Sequence, residues 1–141
     1  MSFPSSPTNG QTYTNALGTQ FIYNTAKGAW LILSGAKTRI SGDVSTATPT
    51  PNADAQDTYT LSALAVGATF ALPTGTPTDG QKMMLRIYDN GVQQTLAWNA
   101  NYKVVGVTLP TTTTVGKYTY VGIVYNGVEG VWNVLAVGVE S

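Results

Sequence analysis

The chain of 141 residues contains no cysteine and no histidine. Without thiolate or imidazole it has no disulfide framework, no zinc site of the usual kind and no hydrolase chemistry built on a histidine base. Charge is scarce too: 10% of the residues carry one, against about 25% in an average soluble domain. Seven Lys and Arg offset seven Asp and Glu, a balance that does not suit a surface tracking nucleic-acid phosphates. No apolar run approaches the roughly 18 residues that span a bilayer, so no membrane partner is expected. The opening MSFPSSPTNG has neither the basic nor the apolar stretch of a signal peptide, which predicts synthesis in a cytoplasm without export. Helical periodicity is missing as well, and the best helical window, residues 63–68, is interrupted by Gly67.

What is present is a vocabulary of Thr, Gly, Asn, Val and Tyr, which suits short strands joined by tight turns. Strand signals recur about every ten residues. The expected fold is all-β: a small N-terminal aromatic β-meander followed by a C-terminal antiparallel β-sandwich or barrel-like domain. Low charge with no net sign leaves little repulsion between copies, which favours a protein that works in an assembly.

Residues 1–33 read as the meander, with strands at 11–14, 19–23 and 29–33 between Asn- and Gly-containing turns. Phe3, Tyr13, Phe21, Tyr23 and Trp30 gather there, more aromatic surface than an isolated three-stranded sheet can hide. These five are the candidate partner-binding residues, forming an anchoring module. Residues 34–52 mix Gly, Ser and Thr with a Thr-Pro-Thr-Pro run and read as a linker carrying one strand at 38–44. Lys37, Arg39 and Asp43 in it are expected to be solvated. Residues 53–141 form the second domain, with strands expected at 58–61, 69–72, 82–88, 92–98, 103–107, 117–125 and 131–139. Asp89-Asn90-Gly91 and Asn126-Gly127 are its hairpin signals.

The strands at 118–125 and 131–139 are apolar on both faces, and such a strand must be covered on both. The second cover is expected to come from a neighbouring subunit. Tyr118, Tyr120, Val121, Ile123, Trp132 and Val134 are the candidate oligomer-interface residues.

For chemistry the sequence offers little. The carboxylates are Asp43, Asp54, Asp57, Asp79, Asp89, Glu129 and Glu140. Asp79 and Asp89 precede turn glycines, where such side chains bond their own backbone. Asp54 and Asp57 could offer two oxygens to calcium, short of the six or more that such a site takes. No catalytic residue, metal site or cofactor is expected. Trp98, Tyr102, Tyr118 and Tyr120 could form a stacking platform for a sugar. The run Leu109-Pro110 followed by four threonines reads as an extended edge or loop.

Two sets of short motifs carry a resemblance. Phe3-Pro4-x-x-Pro7-x-x-Gly10-Gln11-x-Tyr13, with Phe21-x-Tyr23-Asn24 and Gly28-x-Trp30, resembles an aromatic module of tailed-bacteriophage virion proteins, fibres in particular. Asp79-Gly80-Gln81, Arg86-x-x-Asp89-Asn90-Gly91, Trp98-Asn99, Tyr120-Val121-Gly122 and Trp132-x-Val134 resemble the small β domains of phage fibre and head-associated proteins. The resemblance implies a non-enzymatic protein of the virion surface acting as a homotrimer. With no repetitive shaft in the chain, it implies a capsid decoration (cement) or head-fibre protein bound to the major capsid protein or another virion protein. The alternative is a tail-fibre or receptor-binding protein that holds a host-surface glycan, which saturable binding lost in Trp98→Ala would indicate.

Overall fold

The computed structural model describes residues 3–34 and 38–141, and all the regular structure among them is strand. The chain divides into two compact units, Met1–Thr38 and Arg39–Ser141.

In the first unit β1 (Thr12–Thr14), β2 (Gln20–Asn24) and β3 (Ala29–Ser34) form an antiparallel sheet in that order. The Asn15 side chain shapes the first turn, accepting the amides of Leu17 at 3.0 Å and Thr19 at 2.9 Å. Asn24 serves the second, accepting the amide of Lys27 at 3.0 Å. The Phe3 ring lies 5.3, 5.0 and 5.3 Å from those of Tyr13, Phe21 and Trp30, and Tyr23 lies 5.4 Å from Trp30. All five expected aromatics therefore share one cluster.

The second unit contains β4 (Ile40–Asp43), β5 (Thr58–Leu64), β6 (Ala68–Phe70), β7 (Lys82–Asp89), β8 (Leu96–Trp98), β9 (Tyr102–Val104), β10 (Thr119–Asn126) and β11 (Val131–Val139). Six of them make one sheet in the order β4-β5-β7-β10-β11-β9, and β6 pairs with β8. The expected antiparallel pattern is corrected here. β4, β5 and β7 run parallel, as do β11 with β9 and β6 with β8, so the unit is mixed. The cause is connectivity: β6 leaves the large sheet between β5 and β7, and the chain returns in the same direction. Asp89-Asn90-Gly91 is a turn, as its chemistry predicts, but it sends the chain to β8 in the other sheet and makes no hairpin. The hairpin that does form, β10–β11, closes through a four-residue loop in which the Gly130 amide donates to Asn126 O at 2.9 Å.

From Arg39 onward the stretch expected as a linker lies inside the second unit, while Lys37 falls outside the described residues. The carbonyls of Ala47, Pro49 and Pro51 accept the amides of Thr69, Ala71 and Thr74 at 2.8–2.9 Å. Proline has no amide to give, but its carbonyl still accepts, so this run lies along the chain at β6 as a border that donates little.

One face of the large sheet builds the core. Tyr59, Leu61, Leu85, Ile87, Val121, Ile123, Trp132 and Val134 are buried there, joined by Phe70 and Leu96 from the β6–β8 pair. Each fully buried large apolar side chain contributes about 1.5–3 kcal/mol. Trp98 stacks on Phe70 at 4.3 Å, and its Nε1 donates to Pro110 O at 2.8 Å.

Candidate functional site

The opposite face of the large sheet holds the candidate site. Period-2 alternation along β7 sends Met83, Leu85 and Ile87 into the core and Lys82, Met84, Arg86 and Tyr88 outward. On β10 the outward set is Tyr120, Gly122 and Val124. Gly122 lies opposite Met84 on one side and Ala136 on the other. With no side chain at the middle position, a trough opens between its neighbours, and a cavity of about 390 Å³ is lined by Lys82, Met84, Gly122, Val124, Leu135 and Ala136 among others. The β10–β11 register shifts after Gly122, so that Gly122 meets Ala136 and Ile123 meets Val134. Leu135 is the extra residue of this bulge, which turns it outward at 49% exposure.

Two charged residues, Asp57 and Lys82, stand in the lining of the trough, and Arg86 follows Met84 two residues further along β7. Asp57 is held by Arg39, whose Nη2 lies 2.7 Å from Oδ1, and that bond keeps the carboxyl below its ordinary range although burial pulls the other way. Lys82 and Arg86, flanking Met84 on β7, have no carboxylate within ion-pair distance among the described residues. The Arg86 Nε is buried without an acceptor, and so is the Oγ1 of Thr60, its register partner on β5. The Arg86 guanidinium stands 5.5 Å from the Tyr118 ring, which lies 4.7 Å from Tyr88 and 6.0 Å from Tyr120. Glu140 closes that end, accepting from the Tyr118 amide at 3.0 Å and the Tyr120 hydroxyl at 3.2 Å.

The six expected interface residues divide between two faces. Tyr118 and Tyr120 belong to the aromatic ladder of the outer face. Val121, Ile123, Trp132 and Val134 are corrected: at 0–2% exposure they fill this chain's own core and offer nothing to a neighbour. Trp98 and Tyr102 likewise pack inward, the Tyr102 hydroxyl donating to Ala71 O at 2.8 Å, so they form no exposed platform with Tyr118 and Tyr120. Sequence parity could have found the outer site, because Lys82, Met84, Arg86, Gly122 and Val124 are the residues left when the buried set is removed.

The carboxylates are engaged in structural bonds. Asp43 accepts from Tyr59, Asp54 from Thr76, Asp79 from the Gly127 amide, and Glu129 pairs with Lys103 at 3.0 Å. No cluster of three or more metal-ligating side chains occurs among the described residues. The threonine run is a loop whose Thr113 is buried: its hydroxyl donates to Asp89 at 2.8 Å and accepts the Gln94 amide at 2.9 Å.

No family model and no curated protein matches the chain. Among solved structures, one described as "Structure of a chaperone-substrate complex" is similar at a TM-score of 0.47 and 16% identity. The match covers 85% of this chain and 22% of that one, so the chain spans about a fifth of the solved chain's length.

Proposed function

We propose that this chain is a non-enzymatic adhesion protein of a bacteriophage virion, a capsid decoration (cement) or head-fibre protein held on the shell as an oligomer. The observation that carries the adhesive part is the apolar trough on the outer face of the central sheet, left uncovered by the described residues of the second unit. The phage part rests on the motif resemblance of both units. In this reading the β6–β8 pair and the large sheet act as the two layers of an open sandwich, and the aromatic N-terminal unit anchors to a virion protein. Self-association, to a trimer, falls to β4, a terminal strand of the sheet that carries exposed Ile40 and is followed by exposed Val44. Mass spectrometry and imaging of purified particles of the encoding virus test the reading. Fixed copy number on the exterior supports it, and absence from intact particles overturns it.

The half-exposed ladder of Tyr88, Tyr118 and Tyr120 beside Arg86 favours one second reading, recognition of a host-surface glycan. Its test is saturable sugar binding abolished by Tyr120→Ala, since Trp98 is committed to the core.

A further inference from the structure

We infer that the trough on the outer sheet face receives an extended segment of a different protein, with two carboxylates four residues apart and an apolar side chain midway between them. This rests on the adhesion reading and adds the chemistry of the partner. Lys82, Met84 and Arg86 point outward from one strand, so the backbone positions that carry the two cations stand about 13 Å apart at about 3.3 Å per residue. Between them the floor is apolar, and Gly122 leaves room for one inserted side chain. Neither cation has a carboxylate within ion-pair distance among the described residues; of the acids nearby, Asp57 is already answered by Arg39 and Glu140 accepts from Tyr118 and Tyr120. An extended partner repeats its outward side chains every two residues, so a pattern acid-x-apolar-x-acid matches cation, hollow and cation in turn.

A second copy of this chain does not fit. Its acids stand at 43, 54, 57, 79, 89, 129 and 140, and no two are four residues apart. Each also has a partner within its own fold, Asp89 at the bottom of the core and the others with Tyr59, Thr76, Arg39, Gly127, Lys103 and Tyr120. The observed charges therefore complement a foreign segment better than this molecule itself.

The test uses the full chain, isotope-labelled, with two blocked peptides of equal composition. One has an Asp-Thr-Val-Thr-Asp centre, and in the other both Asp residues are moved to one end. The expected result is that the first peptide shifts the amide signals around Met84, Gly122 and Ala136, and that the second binds at least about threefold more weakly. Raising salt from about 50 to about 300 mM should weaken the first several-fold, since the pairs are at the surface. Gly122→Leu should fill the trough and abolish the shifts, and Arg86→Glu should weaken binding by about three- to tenfold. Gly122→Ala is the folding control, because its added carbon meets Ala136 Cβ at 3.5 Å and Met84 Cε at 3.8 Å, ordinary contact distances. Equal binding of the two peptides, or none by either, overturns the inference. So does concentration-dependent self-association that protects the same amides, or displacement of the peptide by an acidic oligosaccharide. Attachment of the chain to virus particles separates the two levels. If neither peptide binds, or both bind equally, while the chain still attaches to particles, this inference fails while the adhesion reading stands. If peptides bind but particles do not, the virion reading fails and the trough keeps its ligand class.

Discussion

A methyl group on Gly42 would point into the backbone of the neighbouring strand, 2.6 Å from the nitrogen of Thr60 and closer still to its carbonyl oxygen. Backbone cannot swing aside as a flexible side chain does, so β4 must lift away from β5. Gly42→Ala is expected to cost about 2 kcal/mol in urea unfolding, whereas Gly122→Ala, where the carbon fits, should stay within about 0.5 kcal/mol of the parent. Equal stability of the two variants would refute that close approach. Asp89 shows the opposite kind of commitment, a carboxylate placed at the bottom of the core. Burial alone would push its pKa up, but bonds from the Gly116 amide, the Thr113 hydroxyl and the Gly91 amide outweigh it, and the net shift is downward. A carboxyl depressed in the folded state binds fewer protons there than when unfolded. Its stabilisation is therefore present above the unfolded value, about 3.9, and is lost as pH falls through the lower folded value. Asp89→Asn keeps the shape and lets the Thr113 hydroxyl turn round, so it should cost about 1–2 kcal/mol, against about 3 kcal/mol for Asp89→Ala. Melting temperatures between about pH 2 and pH 7 provide the check: the parent should lose more stability on acidification than Asp89→Asn.

At the scale of elements, the strands were largely legible because each carries a local signal: β-branched and aromatic residues bounded by Gly, Asn and Pro. β11 occupies the expected 131–139, and β7 runs one residue past the expected 82–88, to Asp89. Pairing was not legible. Asp89-Asn90-Gly91 encodes a turn, but nothing within the turn says whether the chain then doubles back beside β7 or crosses to another sheet. The parallel β5–β7 pair goes with β6 leaving the sheet, where Phe70 stacks on Trp98, a contact between residues far apart in sequence that local preference does not encode. The site was half legible. Parity separates Gly122 and Val124 from Val121 and Ile123, but both faces of β10 and β11 read as apolar, and the fold shows which of the two faces inward and which borders the trough. Trp98 makes the distinction measurable. Trp98→Ala removes its stack on Phe70 and its bond to Pro110, and should destabilise the second unit by about 3–5 kcal/mol in denaturant unfolding. A smaller loss, under about 1 kcal/mol, would mean that the ring is not part of the core.

For the molecule as a whole, the boundary at Thr38 changes where the chain can be divided. A break at residue 52, where the composition shifts, would remove β4, the Arg39–Asp57 ion pair and the carbonyls of Ala47, Pro49 and Pro51 that accept from Thr69, Ala71 and Thr74. The parallel partner of β5 would be gone, and the carbonyls of Arg39 and Val44 would no longer take the amides of Asp57, Thr58 and Ala63. Buried Pro49 and Pro51 would vanish as well, exposing the backbone that follows β6. A break before Arg39 removes none of these. Residues 39–141 alone should therefore give a dispersed amide spectrum and a melting temperature within a few degrees of the second unit in the full chain, whereas residues 52–141 should melt at least about 10 °C lower or fail to fold. If the two fragments behave alike, the pairing of β4 with β5 contributes nothing to this unit. If 39–141 folds and still attaches to particles as well as the full chain, the aromatic module at the N-terminus is not the anchor, and adhesion belongs to the outer face of the large sheet.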